Sequence, residues 1–245
     1  ISRQLKHSFA VFGSHTNFKN PFITNYEARN ENTAGIRSFL ELKGSDTKNL
    51  IWKAYAGLEW QRTYADIKNY DNKGGEKGAV QSSDKVTTRQ SFYFTRFSAS
   101  IFERWDLELA ASINYYRYKF NNTSLPSSPG KKTFDPQLMP RLALSYQLSE
   151  NLAWRNSVSR GYSPPTIAEV RASDQRINTS LQPESGWNYE TGIRYRSKQD
   201  RIWLDASVFY YRLQNAIVRR VNADDSEFFL NAGGTKQAGF ESQIS

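Results

Sequence analysis

Apolar and polar side chains alternate along many stretches of this 245-residue chain. In WDLELAASINYY, residues 105–116, apolar or aromatic side chains occupy nearly every second position from Trp105 to Tyr115, and Asp106 and Glu108 lie between them. A period of two is that of a β-strand, whose side chains point alternately to its two faces. A strand of this kind separates an apolar medium from water.

The same alternation predicts about ten strands. They lie near residues 5–14, 33–43, 49–64, 87–101, 105–119, 138–148, 152–160, 187–197, 201–213 and 236–245. Short polar turns lie at 43–48, 103–104, 149–151 and 198–200, and long connections lie near 15–32, 65–86, 120–137, 161–186 and 214–235. Short and long connections alternate, so in an antiparallel meander all tight turns lie at one end and all long loops at the other. That segregation is typical of bacterial outer-membrane barrels.

The two faces of the predicted strands differ in chemistry. Aromatic residues often occur near the ends of the apolar stripes, as the membrane interfaces favour; examples are Trp52 and Trp60, Trp105 and Tyr115, and Trp187 and Tyr195. The opposite face carries many charges, namely Lys53, Glu59, Arg96, Asp106, Glu108, Arg141, Arg155, Glu190, Arg194, Arg196 and Asp205. Unpaired burial of so many charges in a small closed core is prohibitive. We therefore predict an all-β, antiparallel, up-and-down transmembrane β-barrel, with lipid outside and paired acids and bases lining a watery bore.

Composition excludes several other classes. Only 38% of the residues are hydrophobic, although 14% are aromatic, and no run approaches the roughly 18 to 20 apolar residues of a membrane-spanning helix. The chain has no cysteine, which excludes disulfide scaffolds and thiolate metal sites. The net charge of +9 is compatible with nucleic acid, anionic lipid or an acidic ligand. Because there is no block of five basic residues, we predict no nucleic-acid partner.

Three stretches resemble the TonB-dependent outer-membrane receptor family. They are SRGYSPPTIAEV at 159–170, LQPESGWNYETGIRY at 181–195 and FLNAGGTKQAGFESQIS at 229–245. In that family a Ser-Arg-Gly-aromatic-x-Pro-Pro-Thr strand end precedes an outer loop, a Leu-x-Pro-Glu strand start and an Asn-Ala-Gly strand, in this order. The resemblance implies a bacterial outer-membrane barrel of about 22 strands, plugged by an N-terminal domain. Such a receptor imports scarce ligands, most often ferric siderophores, with energy delivered through TonB.

The resemblance sets expectations for the organisation of the chain. Residues 1–245 are expected to form one barrel segment, with about ten of the strands, and to lack the plug domain and the C-terminal strands. The expected partners are a ferric siderophore or similar small ligand, TonB through the missing plug, and outer-membrane lipid and lipopolysaccharide. No cofactor and no catalytic activity are expected.

The loop at 161–186 is expected to rise on the outer side of the membrane. Tyr162, Arg171, Arg176 and Trp187 are therefore the candidates for ligand or rim contacts. Two alternatives stay open for each of them: the residue only orders a loop, or it contacts lipopolysaccharide phosphates.

Two other functions remain as alternatives. His7 and His15 have no Cys or His neighbour at metal-ligand spacing, and we expect them in the lumen or a loop. An outer-membrane barrel enzyme of the protease or lipase type could combine His15 with Asp66, Asp71 or Asp84. A passive porin is the other alternative. No G-x-S-x-G or H-E-x-x-H motif occurs. An importer is preferred over an enzyme because the receptor motifs favour transport.

Overall fold

The computed structural model describes residues 2–45, 49–123, 129–174, 176–197 and 201–245. Its strands are β1 (Ser2–Pro21), β2 (Tyr26–Ser45), β3 (Leu50–Lys73), β4 (Glu76–Ile101), β5 (Trp105–Asn122), β6 (Gly130–Thr133), β7 (Gln137–Ser149), β8 (Leu152–Ser163), β9 (Glu184–Arg196), β10 (Trp203–Gln214), β11 (Ile217–Val221), β12 (Glu227–Asn231) and β13 (Gly234–Ile244). A single turn of helix, α1 (Ile167–Val170), precedes β9. Within the described ranges, no helix is long and apolar enough to cross a membrane.

Ten of the strands form the wall of one antiparallel sheet. Their order is β1-β2-β3-β4-β5-β7-β8-β9-β10-β13, with the short strand β6 beside β5 and a separate β11–β12 hairpin. Each long strand therefore pairs with the next one along the wall, which confirms the predicted all-β, up-and-down arrangement. The predicted turns at 103–104 and 149–151 lie between paired strands as expected. The turn at 198–200 lies outside the described residues, and the turn at 43–48 lies partly outside them.

The register aligns the apolar side chains into rows across neighbouring strands. On the outward face of β3, β4 and β5, the first row is Leu50, Ile101 and Trp105, and the last is Trp60, Ser91 and Tyr115. We call the outward residues of these strands from the first row to the last the apolar band. Many of its large side chains are exposed, as expected where lipid is the neighbouring medium.

Two of the predicted long loops are instead continuations of strands. The region 15–32 is a hairpin extension, because β1 runs to Pro21 and β2 starts at Tyr26. The region 65–86 is another, closed by Gly74 and Gly75 with positive φ angles of 65° and 97°. Beyond the apolar band both faces of a strand contact water or other protein, so the outward apolar stripe ends there. The backbone hydrogen bonds between the strands nevertheless continue.

The buried core lies on the inward face at the loop end of the wall. One cluster contains Tyr116, Tyr118, Phe134, Val170 and Leu181, and a second contains Ala65, Ile67 and Val86. Val170 and Leu181 belong to the connection between β8 and β9. We call residues 164–174 and 176–183 of that connection the rim segment. It folds across the inward face of β3, β4 and β5.

Candidate functional site

The inward face of the wall carries a ladder of ion pairs. Glu108 on β5 accepts from Arg96 of β4 at 2.5 Å and from Arg141 of β7 at 2.9 Å. The two arginine side chains are about half exposed, so each pair contributes at most about 1 kcal/mol. The predicted pairing of acids and bases on neighbouring strands is confirmed here.

A second ladder lies further along the wall. Asp205 on β10 accepts from Arg194 of β9 at 2.8 Å and from Arg155, which reaches across from β8. Arg155 also lies 3.8 Å from Glu190. The inward face is therefore charged but nearly balanced, and it can present either sign to a polar solute or to another protein segment.

A groove of about 510 Å³ lies between the two ladders. Its inward-facing polar lining includes Lys53, Ser98, Ser100, Asp106, Glu108, Arg141, Ser145, Arg155, Ser157, Asn188 and Glu190. Ile51 and Ala143 also line the groove, so its surface combines polar and apolar groups.

The rim segment starts with a capped helical turn. Pro164 and Pro165 end the β8 ladder because proline has no amide hydrogen to donate. Thr166 then caps α1: its Oγ1 accepts from the Glu169 amide at 3.2 Å, and the Glu169 Oε2 accepts from the Thr166 amide at 2.7 Å. This capping box satisfies two donors that a helix start leaves unpaired.

Arg171 anchors the rim segment to the wall. Its side chain is 0% exposed, and its Nε donates to Asp84 Oδ2 on β4 at 2.5 Å. Its two other nitrogens donate to Ser82 Oγ and to the Ala172 carbonyl oxygen, each at 2.7 Å. The guanidinium is fully enclosed and its three nitrogens are bonded to these acceptors, so Arg171 connects the rim segment to β4.

Two tyrosines of β5 support the rim segment from below. The Tyr116 hydroxyl donates to the Pro165 carbonyl oxygen, and the Tyr118 hydroxyl donates to the Asn178 carbonyl oxygen, both at 3.1 Å. Their rings pack against Val170 and Leu181 in the larger buried cluster. Each tyrosine thus supplies apolar area and one hydrogen bond at a buried end, a combination this residue favours.

The β11–β12 hairpin supports the rim segment from its other side. The Asn178 side-chain amide donates to the Phe229 carbonyl oxygen at 2.7 Å. Asn231 accepts from the Gln182 amide at 2.8 Å and donates to the Gln182 carbonyl oxygen at 2.9 Å. The rim segment is therefore held between the inward face of the wall and this hairpin.

The tip of the hairpin carries a charged turn. Ser226 donates to Asp224 Oδ1 from its hydroxyl at 2.6 Å and from its amide at 3.0 Å. These bonds, with a smaller contribution from the positive charge of Arg176, lower the pKa of Asp224 below its usual value. Arg176 is exposed, so it is the accessible cation of the rim segment near this tip.

The four candidate residues of the sequence analysis have different surroundings. Arg171 and Arg176 both belong to the rim segment, one buried and one exposed. Tyr162 lies at the end of β8, and its buried hydroxyl has no hydrogen-bond partner within the described ranges. Trp187 lies on the outward face, where its ring stacks on Tyr189 at 6.2 Å. It therefore belongs to the aromatic residues of the lipid-facing side and does not line the bore.

The two histidines also lie on the outward face, so their expected place in the lumen or a loop is wrong. His7 Nε2 is 2.8 Å from Ser38 Oγ, and His15 Nδ1 is 2.8 Å from Asn32 Oδ1. Asp84, one possible catalytic partner of His15, faces inward and is bound by Arg171. The wall separates these two side chains, and no acid–histidine pair forms from them.

The sequence pattern did not identify three inward apolar residues near the rim, namely Ala65, Ile67 and Val86. They fall in the region 65–86, for which the sequence predicts a long loop. Ala65 and Ile67 do have a period of two, but in the opposite phase to the outward apolar stripe of β3. That change of phase is the signal that could have identified them.

Comparisons with known proteins agree with this geometry. A family model described as "TonB dependent receptor-like, beta-barrel" matches residues 3–245. The metal-pseudopaline receptor CntO of Pseudomonas aeruginosa is 23% identical over 149 residues, which is 58% of this chain and 20% of that protein.

Several solved structures share the fold. The unliganded ferric citrate transporter FecA has a TM-score of 0.75 and 13% identity, covering 99% of this chain and 38% of its own. The siderophore receptor PiuA from Acinetobacter baumannii has a TM-score of 0.70 and 16% identity over 99% of this chain and 42% of its own. The ferric yersiniabactin uptake receptor FyuA from Yersinia pestis has a TM-score of 0.70 and 16% identity, covering 99% of this chain and 37% of its own. The chain thus spans well under half the length of the proteins that it resembles.

Proposed function

The chain belongs to the TonB-dependent receptor β-barrel family, and from that premise we propose that it forms part of the wall of a receptor that binds a scarce ligand and imports it. The family consists of transport receptors of the bacterial outer membrane, so the chain lies in that membrane and is not an enzyme. The observation that carries the proposal is the family match over residues 3–245, together with the ion-pair ladders on the inward face of the wall.

The proposed cargo is a ferric siderophore or a similar metal chelate. The similar proteins carry names such as metal-pseudopaline receptor, ferric citrate transporter and ferric yersiniabactin uptake receptor. A net charge of +9 favours the approach of an anionic chelate. Energy would come through TonB, acting on a plug domain outside these 245 residues, and residues 1–245 would serve as one barrel segment.

The rim segment is the proposed ligand-contacting part of this chain. Arg176 is exposed on it, and we assign to Arg176 the contact with an anionic ligand. Arg171 holds the rim segment in place through Asp84, which makes it a positioning residue. Tyr162, at the base of the rim segment, stays a candidate for a rim contact because its hydroxyl has no partner within the described ranges.

Uptake of a radiolabelled ferric siderophore by cells carrying the full-length receptor tests this proposal. We expect Arg176→Ala to weaken binding by about tenfold, the loss of one charge-assisted contact. Arg220→Ala removes an exposed cation of the β11–β12 hairpin and serves as the matched control, with unchanged affinity. If Arg171→Ala and Arg176→Ala combined leave the affinity unchanged, the assignment of the rim segment is wrong.

A passive porin differs from the proposed importer because it needs no source of energy. Import by a TonB-coupled receptor stops when the proton gradient is dissipated, and the purified full-length receptor in a planar bilayer shows no steady conductance. Uptake that continues without the gradient, with a stable open channel, would overturn the importer proposal.

A further inference from the structure

Three arginines lie side by side on the outward face of the wall. Arg62 of β3 is directly opposite Arg89 of β4, and Arg89 is directly opposite Arg117 of β5. Opposed side chains on antiparallel strands have Cβ atoms about 5 Å apart, and like charges there repel. We call Arg62, Arg89 and Arg117 the arginine row. None of its members forms an ion pair within the described ranges, although Arg89 lies 5.9 Å from the centre of the Trp60 ring.

The arginine row has a fixed height in the membrane. It comes immediately after the last row of the apolar band, which contains Trp60 and Tyr115. Aromatic rings at the end of such a band lie at the level of the lipid headgroups. The row lies at the loop end of the wall, and long loops of outer-membrane barrels face the cell exterior. Its guanidinium groups therefore lie at the phosphates of the outer leaflet.

Further cations extend the row away from the membrane. Lys119 of β5 and Lys131 of β6 are directly opposite each other in the next row. Both are exposed, and neither has an ion-pair partner within the described ranges. Asp66 on the same face is opposite Lys85 one row further out. Five uncompensated cations thus share one outward patch, which we call the basic patch: Arg62, Arg89, Arg117, Lys119 and Lys131.

We propose that the basic patch is a binding site for the diphosphorylated lipid A headgroup of lipopolysaccharide. Guanidinium groups bind phosphate oxygens in bidentate geometry, and three of them at a spacing of about 5 Å can share the phosphates of one headgroup. A bound polyanion would replace the mutual repulsion of the row with attraction. The acyl chains of the same lipid would lie against the apolar band directly below.

The basic patch cannot belong to the cargo site. Its side chains point to the face opposite the ion-pair ladders, the groove and the rim segment. A free phosphate could meet the cations but would leave the adjoining apolar band without a partner, so a lipid satisfies both parts of the surface. The proposal rests on the outer-membrane location and is independent of which ligand is imported.

Binding of fluorescent diphosphoryl lipid A to the detergent-solubilised full-length receptor tests the site. The triple variant Arg62→Gln, Arg89→Gln and Arg117→Gln should bind about tenfold more weakly or less. The triple Arg→Lys variant keeps the charge and should retain most of the affinity. A matched control, Lys19→Gln, Lys73→Gln and Arg220→Gln, removes three exposed cations far from the row and should bind like the native receptor.

The lipid assignment is wrong if dephosphorylated lipid A binds equally well, if the control variant loses as much affinity, or if the glutamine variant keeps its affinity. Full displacement by inorganic pyrophosphate would also overturn it, because it would indicate a site for soluble phosphate. Heat-dependent mobility on gels confirms that each variant barrel is folded. Siderophore uptake, measured in parallel, should be unchanged in the glutamine variant, so failure of the importer proposal is a separate outcome.

Discussion

The inward face of the wall has two different characters at its two ends. Towards the short turns it carries charges in contact with water, such as Glu108 between Arg96 and Arg141. Towards the loops the same face, on the same strands, carries Ile67, Val86 and Tyr118, buried under the rim segment. The alternation of a strand is thus set by the medium on each side at each height. Where the rim segment replaces water, the inward face becomes an ordinary protein core.

The largest expected effect comes from the buried ion pair of that core. Removing Arg171 leaves Asp84 charged, enclosed and unpaired, which costs about 3–5 kcal/mol. We expect Arg171→Ala to lower the free energy of opening of the rim segment by about this amount. Hydrogen exchange of residues 164–174 and 176–183 in the full-length receptor measures it.

Two controls separate burial from charge in this experiment. Arg141→Ala removes a half-exposed partner of Glu108 and should cost no more than about 1 kcal/mol. The double variant Arg171→Met with Asp84→Leu removes both charges and should keep the rim segment closed. A double variant as open as Arg171→Ala would show that the ion pair itself, and not the avoidance of a lone buried charge, fastens the segment.

A smaller effect is expected from the apolar part of the same core. Leu181→Ala opens a cavity next to Val170 and should lower the opening free energy by about 3 kcal/mol. Leu142→Ala, the same change on the outward face, leaves a gap that lipid chains can fill and should affect the rim segment little. Equal effects of the two substitutions on hydrogen exchange would contradict the contrast between the two environments.

The smallest effect is expected from the charged end of the wall. Glu108→Gln removes the acid shared by Arg96 and Arg141, and the loss should be at most about 2 kcal/mol, about 1 kcal/mol for each pair. Because these side chains are exposed, the loss should shrink further at high salt. Chemical unfolding of the full-length receptor in low and high salt measures it, and a loss of several kcal/mol would mean that the ladder is buried in the intact receptor.

The strands inside the membrane could be predicted because two solvents constrain them. Residues 105–115 alternate without a conflict between burial and periodicity, since lipid lies on one side and water on the other. The motifs around Pro164 and Gly239 then pointed to the family. The aromatic residues at the ends of the stripes also marked the height of the membrane, which the register of Trp60 and Tyr115 supports.

The rim segment could not be predicted from local pattern. Its position depends on contacts between distant residues, such as Tyr118 with Asn178 and Arg171 with Asp84. The same reason explains the assignment of Arg171 to ligand contact: an arginine in a polar loop gives no local sign that an acid of another strand encloses it. For Trp187 the alternation of the strand is informative, because it predicts an aromatic end of the lipid-facing stripe, and the structure places Trp187 on that face.

The fastening between Arg171 and Asp84 joins residues that are 87 positions apart in the chain. Closing so long a loop is entropically unfavourable until the strands between its ends are paired. We therefore expect the rim segment to dock after the β3–β4 hairpin and the β8–β9 pair have joined the sheet. We expect the rim segment to become resistant to protease late during biogenesis. Its protection would then report that the wall between Asp84 and Arg171 is complete.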